Sequence, residues 1–112
     1  MSKIVVIGST NMDLVAQVPH YPAAGETLFG TSFTTIPGGK GANQAVAVAR
    51  IGSEVSFMTK LGNDAFGQQM RQHFSEEGMD MTHILTDTDS PTGTALITVE
   101  EKGENRIIVI PG

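Results

Sequence analysis

The sequence predicts an α/β fold in which helices alternate with the strands of a parallel sheet, and three observations support this prediction. The run Lys3–Gly8 is apolar and β-branched without polar alternation, as in a strand that is buried on both faces, and Val55–Lys60 is predicted to be a second buried strand. Between them, a glycine-rich loop leads into a run of small apolar residues and good helix formers that stops at Gly52. A second helical pattern, from Asn63 to about Glu77, follows the second apolar run.

The second helix has a start signal, an apolar stripe and a stop signal. Asn63 and Asp64 can cap its first turn, and Gly78 ends it. The stripe consists of residues spaced by four, namely Phe66, Met70 and Phe74. Asp64 is therefore interpreted as a helix cap rather than as a catalytic carboxylate. The segment Met79–Thr86 is predicted to be the next strand of the sheet.

Two further β segments do not fit a simple parallel sheet. Residues 26–36 are rich in Thr and Phe and predict one or two short strands. Residues 94–101 and 104–110 are joined around Lys102-Gly103 and predict a hairpin. These segments are either edge strands of the main sheet or a second, smaller sheet that stands off it as a lid.

Composition excludes several classes of function. The formal charge of the 112-residue chain is −5, which argues against a nucleic-acid or membrane-surface role, since either favours a basic face. The chain contains no cysteine, so disulfides, Cys-ligated zinc and a thiol nucleophile are excluded. The four apolar residues of Ile4–Ile7 are too few for the core of a signal peptide, and we expect a cytoplasmic protein.

The glycine-rich loop Pro37–Gly41 is the most unusual stretch of the chain. Its glycines permit positive φ angles and close backbone approach, and it ends at a helix N-terminus, where unpaired N–H groups point outward. The loop lacks the P-loop spacing, but it could still hold a phosphate. It could instead bind a neutral polar ligand such as a sugar, with help from Asn43, or serve as a close-packed structural turn. Lys40 opposes the helix dipole, which suggests a role other than helix stability.

Asn11 and Asp13 lie in a polar segment that we place in a turn at the carboxyl end of the first strand, where open α/β sheets bind ligands. A carboxylate can accept two hydroxyl groups at once, and an amide both donates and accepts, so this pair suits a polyol. An Asx-type turn is the structural alternative. The three histidines, His20, His73 and His83, have no partner residues at the spacing of a metal site or a catalytic triad.

Several short motifs follow one another along the chain. They are Ser9-Thr10-Asn11-Met12-Asp13, Pro22 with Gly25-Glu26-Thr27, Gly38-Gly39-Lys40-Gly41-Ala42-Asn43-Gln44-Ala45 with Gly52 and Gly62, Gly62-Asn63-Asp64 with Gly67, and Thr92-Gly93-Thr94-Ala95. In this order they resemble the N-terminal part of the ribokinase-like members of the PfkB family of carbohydrate kinases. The resemblance covers essentially all of residues 1–112 and implies a Rossmann-like, three-layer ribokinase-type fold. Strands at about 13–18, 27–36 and 94–110 would form its β-sheet lid.

The resemblance also implies which residues bind the sugar. The substrate-binding residues would be Asn11, Met12, Asp13, Gly39, Lys40, Gly41, Ala42 and Asn43. Asp13 would hold sugar hydroxyls, and Asn43 and the loop amides would hold the rest of the sugar. The lid would contact the substrate through Ala95, Ile97 and Val109.

The reaction that the resemblance implies is transfer of the γ-phosphoryl group of ATP to the 5-hydroxyl of D-ribose, with Mg²⁺ and an activating K⁺. Two lids would pair to form a homodimer. The family's nucleotide site, catalytic Asp and monovalent-cation loop lie in its C-terminal portion, and no motif of that kind precedes Gly112. We therefore expect residues 1–112 to be inactive alone. The alternatives are a non-catalytic chain that binds a sugar or a protein, and a PfkB kinase for another sugar or a nucleoside.

Overall fold

The computed structural model describes residues 3–112. Along this part of the chain the elements are β1 (Lys3–Ile7), β2 (Asn11–Val18), β3 (Ser32–Gly38), α1 (Lys40–Arg50), β4 (Glu54–Gly62), α2 (Ala65–Glu76), β5 (Ile84–Asp87), β6 (Gly93–Glu100) and β7 (Asn105–Ile110). Neither helix is long and apolar enough to cross a bilayer.

The main sheet is parallel and has the strand order β1-β4-β5. The predicted βαβ alternation is confirmed, because α1 connects to β4 and α2 connects to β5. Both helices pack on one face of this sheet, where they share a core that includes Val6, Phe57, Met70 and Phe74. The Phe57 and Phe74 rings meet edge to face, with centroids 5.5 Å apart.

Burial of β1 on both faces was predicted, and for residues 3–112 that prediction is wrong. Val6 is buried, whereas Val5 and Ile7 are 59% and 72% exposed. Successive side chains of a strand point to opposite faces, and the two helices cover only the face of Val6. Strand β4 was predicted to be buried, and it is buried on the face of Val55, Phe57 and Leu61, which lie in the core. On its other face Ser56 is buried, whereas Met58 and Lys60 are exposed.

A second sheet stands apart from the first and has the order β3-β2-β6-β7. This arrangement confirms the separate small sheet and excludes edge strands of the main sheet. We call this four-stranded sheet the lid sheet. Strand β2 is antiparallel to β3 and parallel to β6, and β6 and β7 form the predicted antiparallel hairpin.

Three predicted boundaries change. The strand expected within residues 27–36 begins at Ser32, because residues 19–31 form a loop whose end bonds back to Gln17 through Thr31. Asn11–Asp13 belong to strand β2 rather than to the turn before it, because they pair with β3 and β6 on both sides. Strand β5 begins at Ile84 instead of near Met79, since the Asp80 carboxylate accepts two bonds from Thr82 and holds a turn there.

Candidate functional site

The turn after β1 lies directly against the start of α1. A Cβ on Gly41 would lie 2.7 Å from the Cα of Gly8 and 2.9 Å from the backbone nitrogen of Ser9. The amide of Ala42 donates to the Ser9 carbonyl at 3.2 Å. The two segments therefore meet backbone to backbone, which requires a residue without a side chain at position 41.

Gly39 is the residue at which β3 turns into α1, and its φ is 100°. A Cβ there would lie 2.5 Å from the Ser9 carbonyl oxygen and 2.9 Å from the Cα of Thr10. Within residues 3–112 no side chain caps this end of the helix. Close packing explains the glycine, and the uncapped first turn offers N–H groups to a ligand, so both interpretations of the loop have a structural basis.

Asn11 and Asp13 face the same side of β2. The Asn11 amide nitrogen donates to a carboxylate oxygen of Asp13 at 2.7 Å. Burial raises the pKa of Asp13, and the bond from Asn11 opposes that rise. A Cβ on Gly38 would lie 2.6 Å from this carboxylate, so the glycine leaves the space that the carboxylate fills. The structure thus brings together Asp13 and the glycine-rich loop.

The predicted lid contacts share the face of Asp13. In the lid sheet, Asp13 pairs with Ala95, and Ala95 pairs with Val109. Ile97 lies two residues further along β6 and therefore on the same face. Ala95 is buried, Ile97 is half-buried, and Val109 is 64% exposed. The carboxylate thus lies on a face whose nearest cross-strand neighbours are apolar.

Among the other predicted site residues, Lys40 and Asn43 are exposed on the first turn of α1, and Ala42 is buried against the turn after β1. Only Met12 lies on the opposite face of β2. Its side chain is 2% exposed and belongs to the core that it shares with Ala45. Met12 can therefore reach a ligand on the Asp13 face only through its backbone.

We expect Met12→Ala to act on stability rather than on ligand contact. Truncation of a fully buried methionine typically costs about 2–5 kcal/mol, through lost burial and the cavity left behind. Urea unfolding of a full-length chain carrying residues 1–112 measures this loss, and Met12→Leu, which conserves volume, should cost less than about 1.5 kcal/mol. A large rise in the KM for sugar with unchanged stability would contradict this assignment.

A cleft of about 350 Å³ opens at the carboxyl ends of β1, β4 and β5. It is lined in part by Ser9, Asn11, Lys60, Asp87 and Val109. The sequence analysis did not assign Lys60 and Asp87 to a site, although their charged groups lie 3.6 Å apart here. Their position at the ends of parallel strands is the signal that could have identified them.

The comparisons with known proteins identify the family. Residues 1–112 match the pfkB family carbohydrate kinases. The chain belongs to this family. The resemblance inferred from the motifs and the ribokinase-type fold are both confirmed.

Among relatives of the chain, the ribokinase of Haemophilus influenzae is 45% identical over 97% of this chain and 36% of that protein. The structure of ribokinase from Giardia lamblia is 40% identical, with a TM-score of 0.91 over 98% of this chain and 36% of that one. The structure of Arabidopsis thaliana ribokinase complexed with ribose and ATP has 32% identity and a TM-score of 0.89, over 96% of this chain and 35% of that one. The chain thus spans little more than one third of the length of these relatives.

Proposed function

We propose that residues 1–112 form the sugar-binding part of an ATP-dependent kinase that phosphorylates D-ribose on its 5-hydroxyl. One observation carries this proposal: the Asp13 carboxylate, held by Asn11, lies beside the glycine-rich loop on a lid face lined by apolar side chains. Sugars present hydroxyl groups for a carboxylate and C–H faces for apolar side chains. The family membership and the ribokinase relatives, one of them bound to ribose and ATP, support this choice of substrate.

In this proposal Asp13 accepts two sugar hydroxyls, and Asn11 keeps the carboxylate oriented by donating one hydrogen bond to one of its oxygens. The amides of Gly39, Lys40 and Gly41 and the Asn43 side chain bind the remaining hydroxyls from the start of α1, since the amides of Ala42 and Asn43 donate to the carbonyls of Ser9 and Gly39. Ala95, Ile97 and Val109 pack on the sugar from the lid sheet. A lid over the sugar excludes water, which favours transfer of a phosphoryl group to the sugar instead of to water.

The family implies that ATP, Mg²⁺ and K⁺ take part in the reaction. Between residues 3 and 112, no group of three or more His, Asp or Glu side chains comes together to hold a metal ion. We assign no metal ligand and no general base in this segment, and its residues serve to bind, orient and enclose the sugar. Phosphoryl transfer depends mainly on such positioning and on charge stabilisation.

We also propose that the protein is cytoplasmic and that two lid sheets pair in a homodimer. The lid sheet supports the dimer, because both of its faces carry exposed apolar side chains: Phe33, Leu96 and Ile108 lie opposite Asp13, and Ile36, Ile107 and Val109 lie on the face of Asp13. Exposed apolar side chains gathered on a sheet are typical of a protein contact.

The direct test is a kinase assay on a full-length chain that carries residues 1–112. We expect ATP-dependent phosphorylation of D-ribose, with kcat/KM at least about tenfold above that for fructose or adenosine, a margin that two lost hydrogen bonds would produce. Calorimetry of residues 1–112 with ribose is expected to show little binding. A clear preference for fructose or adenosine would contradict ribose as the substrate. Sugar binding without any phosphoryl transfer would favour a non-catalytic protein.

A further inference from the structure

The motifs around Asp64 and Thr92 meet at one junction, although the proposed sugar site does not include them. The Thr92 hydroxyl donates to one carboxylate oxygen of Asp64 at 2.6 Å, and the Thr92 amide donates to the other oxygen at 2.8 Å. The same hydroxyl accepts a bond from the Gly62 amide at 3.0 Å. Thr92 is only 4% exposed. The junction therefore joins the end of β4, the start of α2 and the residue that precedes β6.

Helix capping alone does not explain this arrangement. Asp64 caps α2 as predicted, since one of its oxygens accepts a bond from the Gly67 amide at 2.8 Å. A cap requires a single acceptor, yet the second oxygen of Asp64 bonds to Thr92, which is 28 residues further along the chain. The bond from the Thr92 hydroxyl is also the largest cause of the lowered pKa of Asp64. The carboxylate thus holds two separate segments together.

The junction leaves no room for a side chain at Gly62 or Gly67. A Cβ on Gly62 would contact the Thr92 amide nitrogen and lie 2.6 Å from the carbonyl carbon of Pro91. A Cβ on Gly67 would collide with the carbonyl oxygen of Gly62. The glycines of this motif therefore allow Thr92 to seat directly on the backbone of β4.

A second threonine anchors the neighbouring lid strand in the same way. Thr10 immediately precedes β2, is buried, and shares a 2.9 Å hydroxyl–hydroxyl bond with Thr59 of β4. Strands β2 and β6 are the two central strands of the lid sheet, and they pair in parallel from Asn11 and Gly93 onward. Both central strands therefore begin one residue after a buried threonine that is bonded to the carboxyl half of β4.

We propose that Thr92 and Asp64 are positioning residues for the sugar site: their bond fixes the point at which the chain passes from the main sheet into β6 and thereby sets Ala95 opposite Asp13. Ala95 lies three residues after Thr92 and pairs with Asp13 across the lid sheet. The inference rests on the proposed function only for the identity of the sugar. The geometric role, which holds the lid sheet to the main sheet, is independent of it.

The test compares Thr92→Val with Thr92→Ser in a full-length chain carrying residues 1–112. Valine keeps the shape of threonine but removes the hydroxyl, and serine restores the hydroxyl. We expect Thr92→Val to raise the KM for ribose roughly tenfold, as for loss of a hydrogen bond to a charged group, while kcat changes less than about threefold. Thr92→Ser should have the same KM and kcat as the unchanged protein. Thr98→Val, on the same lid strand, is the matched control.

A second readout does not depend on catalysis. Residues 1–112 contain no cysteine, so once any cysteine in the rest of the full-length chain is replaced, Lys102→Cys at the lid hairpin and Ser75→Cys on α2 can carry a spin-label pair. We expect a wider distance distribution between the labels in Thr92→Val than in Thr92→Ser or Thr98→Val. Asp64→Ser is the second variant, because serine still caps α2 but is too short to hold Thr92. It should widen the distribution without loss of the helix.

The outcomes separate this proposal from the proposed function. If Thr92→Val and Asp64→Ser leave both the label distances and the KM unchanged, the junction does not position the lid and the inference is wrong. If the unchanged protein does not phosphorylate ribose, the proposed function fails, and the label distances still decide whether the junction holds the lid. Loss of stability with unchanged label distances would make Asp64 and Thr92 structural residues only and would also overturn the inference.

Discussion

Replacement of Asp13 by asparagine is expected to reduce kcat/KM for ribose by at least about 100-fold in a full-length chain carrying residues 1–112. The reason is that hydrogen bonds to a charged group are each worth about 1.5–3 kcal/mol, and an amide offers one acceptor where the carboxylate offers two. The side chain keeps its shape and can still accept the bond from Asn11. A steady-state assay with ribose and ATP measures the loss.

The same substitution should leave stability unchanged or higher at pH 7. Burial raises the pKa of Asp13 above 3.8, so the ionised form is less favourable in the folded chain than in the unfolded chain. The stability that the protonated group contributes is fully present below the unfolded pKa and is lost as pH rises through the folded pKa. The neutral asparagine avoids that loss. Thermal unfolding at pH 7 should therefore show an equal or higher Tm for Asp13→Asn.

Activity should change with pH in the opposite direction to stability, because the proposed sugar site needs the ionised carboxylate of Asp13. The value of kcat/KM is expected to rise as pH increases through the pKa of Asp13, which lies above 3.8.

Asp89→Asn is the matched control for Asp13→Asn, since among residues 3–112 this exposed residue forms a hydrogen bond to Asp87 through its backbone amide and none through its carboxylate. If Asp13→Asn retains more than about one third of kcat/KM, Asp13 does not bind the sugar, since loss of even one hydrogen bond to a charged group would lower kcat/KM by more than about threefold.

Gly39→Ala is expected to destabilise the protein by about 4 kcal/mol and to abolish sugar binding. Two costs add: a backbone conformation with φ of 100° that residues with a Cβ rarely adopt, and a clash of that Cβ with the Ser9 carbonyl oxygen. Relief of the clash would move the start of α1 away from the turn after β1, and the loop amides would move with it. Urea unfolding measures the stability loss, and equilibrium titration with ribose measures binding.

Gly52→Ala is the control that separates the two costs. Gly52 also has a positive φ, 87°, but no atom lies within 4 Å of the place where its Cβ would be. We expect this change to cost only about 1–2 kcal/mol, the usual strain of a left-handed residue, with sugar binding retained. If the two substitutions cost the same, close packing of Gly39 against Ser9 would not contribute to stability.

Local signals were sufficient for much of the fold. The cap, the apolar stripe and the terminal glycine of α2 all lie within a few turns of one another, and the structure confirms the helix from Ala65 to Glu76. The hairpin of β6 and β7 was equally clear, because its turn around Gly103 is encoded between two β-branched runs. The sequence predicted the first residues of β3 and β5 less well. The hydrogen bond that Thr31 donates to Gln17 determines where β3 begins, and the bond that Asp80 accepts from Thr82 determines where β5 begins.

The candidate site, too, could be predicted from the sequence only in part. The residue types of Asn11 and Asp13 were sufficient to predict a polar pair suited to a polyol, but the pair was placed in a turn. Their shared face follows from strand β2, whose pairing with β3 and β6 the sequence did not indicate. The partners of Asp13 across the lid sheet depend on strand register, which joins residues far apart in the chain. The sequence did not indicate the proposed role of Thr92 for the same reason, because its partners Gly62 and Asp64 are 30 and 28 residues away.

By itself, the sequence determined the family, the βαβ alternation and the glycine-rich loop before α1, because each depends on neighbouring residues and short motifs. Only the tertiary structure decided which side of β2 each residue serves: Asp13 faces the lid residues, whereas Met12 packs in the core. It also showed that Gly39 and Gly41 are required by direct backbone contact with the turn after β1. Such contacts join segments about 30 residues apart, and no local pattern encodes a distance of a few ångströms between them.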